Sequence, residues 1–337
     1  MSGVLWLEGL VLEGFPVAAL VAYGTLRVLV EEEGLDHVHL VFRDPHSRPV
    51  PGLVGVGKRD LFCRLARRLR RTPPLPQGLP EGEKLENLPF DEMARLAGQD
   101  PRWGRFLPAL LLPRAGDQPF RTPLDTSKGQ QSLPKALWEN WEAARKPNLL
   151  KGLSRVLFGQ GVLLEPKEEV WVWGRRGYKA TRKRKPLEFG LIGWHPTQYR
   201  QWAESPREPN SVPFKDKVRI HPVATLLAWE ALPLFPLYPG VDGVRAAGIL
   251  DPEGRPSLLL PTPGQPVSLR TLRALLLQAP LALENRGFWP KEVGLWRSPR
   301  VGSRRQDEPY PVFMWAEPFL REPLVGAKTP GGSRKRV

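Results

Sequence analysis

The densest chemistry in the sequence is the run Gly174-Arg-Arg-Gly-Tyr-Lys-Ala-Thr-Arg-Lys-Arg-Lys185. Arg175, Arg176, Lys179, Arg182, Lys183, Arg184 and Lys185 are cations, and no carboxylate interrupts them. Cations packed this closely repel one another unless an anion lies among them. The two glycines let a phosphate approach the backbone. Tyr178, following Trp171 and Trp173, offers aromatic faces to unstacked bases or sugars. A second basic group, Arg64, Arg67, Arg68 and Arg71, falls opposite Leu61, Phe62, Leu65, Ala66 and Leu69 if Asp60–Arg71 is a helix. A third is Lys215-Asp-Lys-Val-Arg219, whose alternating cations share one side of an extended segment and leave Asp216 on the other. Phosphate contact is one use of these groups, and a solvated charged face is the plain alternative.

Groups that could catalyse do not converge by spacing. The histidines are His37, His39, His46, His195 and His221. His37 and His39 would share one face of a strand, but no third metal ligand is signalled, and the expectation is no metal and no cofactor. No metalloprotease, nucleophile-elbow or triphosphate-cradle motif occurs. Glu31-Glu-Glu33 ends a predicted helix and is expected in solvent, although acids there oppose the helix dipole. Cys63 lies in an apolar-periodic stretch and reads as a buried thiol. Glu230 reads as sitting at the edge of a helix's core face, with pairing to a buried cation as the other option.

Composition bounds the class. The chain has 337 residues with 50 Lys+Arg against 35 Asp+Glu, a net charge of +15, which favours a polyanionic partner. A single cysteine excludes an intramolecular disulfide framework and fits a reducing compartment. The opening residues do not read as a signal peptide, and the apolar stretch 15–30 is too short and mixed to span a bilayer. The expectation is a cytoplasmic protein without membrane contact. With 39 prolines and 32 glycines, helices should be short and loops numerous.

The elements that would position these groups alternate irregularly, so the fold class is α+β: two lobes with short helices, a mixed or antiparallel sheet and proline-rich loops. Helices are expected over 16–33, closed by Gly34, and over 60–71, 133–144, 149–158, 222–232 and 268–278, the last capped by Ser268. Segments 91–98 and 103–112 read as short helices or irregular chain. Strands are expected over 4–12, 37–42, 168–174, 289–296 and 312–316. Residues 72–80, with four prolines, read as a linker or extended loop. The organisation is an N-terminal lobe over 1–150, a C-terminal lobe over 151–325 carrying the basic loop 174–185, and a basic flexible tail over 326–337. In that tail Lys328, Arg334, Lys335 and Arg336 could steer a polyanion.

Four stretches together resemble a protein family. They are Leu7-Glu-Gly-Leu10 with Phe15-Pro-Val-Ala-Ala-Leu-Val-Ala-Tyr-Gly-Thr-Leu-Arg-Val-Leu29; Pro123-Leu-Asp-Thr-Ser-Lys-Gly-Gln-Gln-Ser132; Phe214-Lys-Asp-Lys217 with Pro222-Val-Ala-Thr-Leu-Leu-Ala-Trp-Glu-Ala-Leu-Pro-Leu-Phe-Pro236; and Val312-Phe-Met-Trp-Ala-Glu-Pro318. In this order they resemble large subunits of CRISPR type I Cascade surveillance complexes, particularly the I-U/I-G group. Tyr23 stands where that pattern has an apolar residue. The resemblance implies binding without chemistry. Such a subunit contacts guide RNA and target DNA, recognises the motif flanking the target, helps open the duplex, and docks other Cascade subunits and a helicase-nuclease. It gives weight to Lys215, Lys217 and Arg219 in the resembled loop. It also gives weight to Lys128, Gln130 and Gln131, since glutamine can pair with adenine in a groove. Two other readings stay open. One is a metal-independent ribonuclease that processes guide RNA, with His195 or His221 as general base. The other is a structural subunit of a different ribonucleoprotein.

Overall fold

Strand pairing at the N-terminus is short: the Leu7 amide donates to Pro51 O, but Pro51 has no N–H to return, and the Gly9 amide turns to Leu157 O. Of the expected strand over 4–12 only β1 (Leu5–Trp6) pairs. The computed structural model describes residues 3–12, 16–74, 89–114, 117–124, 133–145, 149–159, 161–164, 173–174, 177–178, 219–240, 243–251, 255–282, 289–301 and 312–319. α1 (Pro16–Arg27) is apolar at almost every position, and all of its residues are buried. A helix apolar all round belongs at the centre of a core. The expected single helix over 16–33 therefore divides: the α-helix ends at Arg27, a π-helical turn follows over Val28–Glu32, and Gly34, at φ 69°, takes the left-handed angle that closes it.

β2 (His39–Arg43) and β3 (Val50–Val54) form a hairpin, and β1 adds to β3, giving an antiparallel sheet in the order β1-β3-β2. α2 (Lys58–Arg71) packs Leu61, Leu65, Ala66 and Leu69 inward. α3 (Phe90–Gln99) and α4 (Pro101–Leu110) are both helices, α4 with Pro108 in its interior; α4 is capped by the Asp100 carboxylate, which accepts from the Arg102 amide at 2.9 Å. β4 (Leu111–Arg114) and β5 (Asp117–Arg121) pair. α5 (Leu133–Ala144) and α6 (Leu149–Phe158) keep their expected bounds. Two-residue ladders follow: β6 (Leu163–Leu164) with β9 (Arg219–Ile220), and β7 (Trp173–Gly174) with β8 (Gly177–Tyr178). The rest of the strand expected over 168–174 lies outside the described residues.

α7 (Pro222–Trp229) is the second fully buried helix. β10 (Leu237–Gly240) and β11 (Gly243–Ala246) form a hairpin. The largest sheet is antiparallel: β12 (Ile249–Leu250), β13 (Ser257–Pro263), β14 (Val293–Val301) and β15 (Val312–Phe313) in order, with β16 (Glu317–Pro318) also on β14. β12 covers only Ser257 and Leu258 of β13, so Pro261 and Pro263 fall where no neighbour on that side needs their missing N–H. α8 (Leu269–Gln278) begins at Ser268, whose Oγ accepts from the Thr271 amide at 3.2 Å.

The two sheets meet where Leu40 and Val267 exchange backbone hydrogen bonds. Pro45 O, in the turn after β2, accepts from Thr262 Oγ1 at 2.7 Å and Trp296 Nε1 at 2.9 Å. Tyr23, the departure from the resembled pattern, donates its hydroxyl to Pro261 O. One cluster of buried residues runs from Leu7 to Ala316 and takes members from both sides of residue 150. The fold is α+β, with α1 and α7 crossing at its centre. Among the described residues no helix is long and apolar enough to cross a membrane.

Candidate nucleic-acid interface

Most of the expected contact residues lie outside the described residues: Arg175, Arg176, Lys179, Arg182, Lys183, Arg184, Lys185, Lys215, Lys217, Lys128, Gln130 and Gln131, as well as His195 and the tail over 326–337. Tyr178 pairs its backbone with Trp173 across β7–β8, and Arg219 pairs with Leu164 across β6–β9. The basic group whose side chains can be followed in space is that of α2.

Helix α2 starts two residues before the expected Asp60. Its outward face carries Arg59, Cys63, Arg67 and Arg70, a row at spacings of four, four and three, with Arg71 beside it. Cys63 is exposed in this row, contrary to the expected buried thiol, because the core face is occupied by Leu61, Leu65, Ala66 and Leu69. Arg68 is the opposite correction. It continues the Leu61–Leu65 row and is buried, so it does not belong to the outward basic face. Arg64 is half-buried and held by Asp60 at 3.0 Å and Glu33 at 3.3 Å. Arg67 is 53% exposed and reaches Glu33 only at 3.5 Å. Arg59, Arg70 and Arg71 are exposed and meet no carboxylate among the described residues. The sequence reading missed Arg59 and Arg70; the four-residue step from Arg59 through Cys63 to Arg67 was the signal for them.

Beneath this face lies an ionic cluster that follows from the crossing of the two central helices. Gly24 lets α1 approach α7 so closely that a Cβ there would stand 1.8 Å from Leu227 O. Three residues further along each chain are Arg27 and Glu230, which therefore meet on the same faces. Arg27, fully buried, gives Nε to Glu230 O and one terminal nitrogen to the Glu230 carboxylate. Its other nitrogen reaches Glu31 and Glu32, each at 3.1 Å. A regular helix would turn only Glu31 toward Arg27; the wider π turn brings Glu32 as well. Arg68 donates to Glu230 at 3.1 Å and lies 3.3 Å from Glu32. Arg105 and Arg273 close the outer side on Glu32 and Glu31. Two expectations are thus corrected: Glu31–Glu33 is enclosed by arginines from four helices, and Glu230 is buried and ion-paired. Burial alone would raise the Glu230 carboxyl, but Arg27, Arg68 and Arg102 outweigh it and hold it below the usual carboxylate value. Arg102 is shifted down by burial and by its like-charged neighbour Arg68. Its terminal nitrogen donates to Pro73 O at 2.8 Å, and Trp229 Nε1 donates to Pro74 O at 3.0 Å. The proline-rich segment after α2 is therefore pinned at its start.

The described histidines, His37, His39, His46 and His221, each meet backbone atoms. His221 caps α7, its Nδ1 accepting from the Val223 amide at 3.1 Å; burial and then Arg155 push its pKa down to about 4. His37 precedes β2, whose first residue is His39, so the two do not form the expected strand pair. His37 Nε2 lies 3.1 Å from Gly55 O, and His39 Nδ1 lies 2.9 Å from His37 O. No group of three or more His, Cys, Asp or Glu side chains suited to a metal ion occurs among the described residues. No protein-family model matches this chain, and no curated protein matches it either.

Proposed function

We propose that this chain is a non-catalytic, nucleic-acid-binding subunit of a ribonucleoprotein, and specifically a large subunit of a CRISPR type I surveillance complex. In that role it contacts guide RNA and target DNA in the cytoplasm, recognises the flanking motif and helps open the duplex. Other subunits and a helicase-nuclease are its protein partners. The observation that carries the nucleic-acid reading is the α2 face. Among the described residues no carboxylate answers the exposed Arg59, Arg70 and Arg71, while Arg27 and Arg68 beneath them are neutralised internally. A protein with this surplus of arginine on one face attracts a polyanion through phosphate contacts that need no particular base. The ordered motif resemblance carries the narrower assignment.

The single cysteine makes the test direct, because Cys63 stands in the arginine row. Its reaction with a maleimide should slow when RNA or DNA is added at low salt, and should recover as salt is raised. A rate indifferent to nucleic acid would remove α2 from the interface.

A further inference from the structure

The α2 face does not end in arginine alone. α5 docks on its last turn, where Trp141 Nε1 donates to Leu69 O at 2.8 Å, immediately before Arg70 and Arg71. Trp141 is buried, and its ring is fixed by that bond and by Arg145, whose guanidinium lies 4.1 Å over it. Against this fixed ring stands Trp138, one helical turn earlier, with ring centroids 5.0 Å apart. The core face of α5 is Ala136, Leu137, Asn140, Trp141 and Ala144, so Trp138 points away from it and is 48% exposed. An indole can be left in solvent by chance, since isolated apolar residues are common on surfaces. Here it is backed by a second, buried indole, and that indole bonds the last turn of a helix with uncommitted cations. One turn after Trp138, Glu142 is answered by Arg145 at 3.5 Å.

An aromatic face beside a track of cations is the arrangement that holds single strands: arginines follow the phosphates while a base stacks on the ring. A duplex keeps its bases stacked inside and has none to offer an indole on a convex helix. We propose that Trp138 is a stacking platform for an unpaired base, and that the interface of α2 and α5 takes single-stranded rather than double-stranded nucleic acid. This rests on the nucleic-acid reading above and narrows it to a strand already opened.

The test compares three fluorescein-labelled probes with the full chain at one salt concentration: an oligothymidylate, an abasic backbone of equal length, and a duplex of equal length. Trp138→Ala should weaken oligothymidylate binding roughly 5- to 150-fold, the range of one lost base–aromatic stack. The same variant should leave the abasic and duplex probes unchanged. Trp138→Phe, which keeps an aromatic face, should recover most of the loss. An unaltered thermal melt, expected for an exposed site, separates binding from folding. An equal loss on all three probes, or no loss on oligothymidylate, overturns the stacking role and leaves Trp138 to a protein partner. If salt-dependent binding to the probes persists in that case, the nucleic-acid reading stands without it. If no probe binds in a salt-dependent way, that reading itself fails.

Discussion

Removing the Glu230 carboxylate would leave Arg27 and Arg68 facing one another inside the protein, with only Glu31 and Glu32 to answer them. Truncating one member of a buried ionic cluster is costly because the remaining charges keep their desolvation and lose their partner. Glu230→Ala should therefore lower unfolding free energy by about 3–5 kcal/mol in a urea titration. A loss below about 1 kcal/mol, the level of an exposed pair, would contradict the buried network. Part of this cluster was legible in the sequence. Leu61, Leu65 and Arg68 stand at spacings of four and three, so Arg68 shares the core row rather than the outer face. What could not be read was its partner: Glu230 lies 162 residues away, and only the crossing of two helices brings it there. The same holds for most partners of Glu31–Glu33: Arg27 is one turn earlier, but the other neutralising arginines come from α2, α4 and α8.

Helices α1 and α7 are the elements on which the rest is arranged, and their contact depends on Gly24. A methyl group at that position would meet Leu227 O, a backbone atom that moves only if the helix moves. Gly24→Ala should destabilise the chain by about 1–3 kcal/mol or more through overpacking. Gly104→Ala is the control. Gly104 lies within α4, and a methyl group added there would have no neighbour within 4 Å. There the substitution should stabilise by about 0.5–1 kcal/mol, because alanine is the better helix former. Thermal melts of both variants would decide; equal effects would show that the crossing is looser than described. Element positions followed closely from apolar periodicity where a helix shows one face, as in α2, α5, α6 and α8. They were least legible where burial is complete. α1 is apolar all round, so periodicity marks neither its buried sides nor the π turn that ends it. The strand expected over 289–296 begins four residues later and runs over Val293–Val301, where it pairs with β13.

Over the chain as a whole the +15 charge is unevenly answered. Inside, arginines and carboxylates close on each other; on the outward face of α2, Arg59, Arg70 and Arg71 meet no carboxylate among the described residues. The long-range consequence is an attraction to polyanions that weakens with salt, because each phosphate neutralised releases a counterion. The decisive measurement is the salt dependence of binding to a single-stranded oligonucleotide, for the native chain and for a variant with Arg59, Arg67, Arg70 and Arg71 replaced by glutamine. Plotted as log K against log salt, the native chain should give a steep negative slope, and the variant a slope shallower by about 3 if each arginine holds one phosphate. Far-UV circular dichroism should be the same for both, since these side chains lie on the solvent face. A slope near zero for the native chain, or equal slopes for the two proteins, would refute a phosphate-binding face on α2.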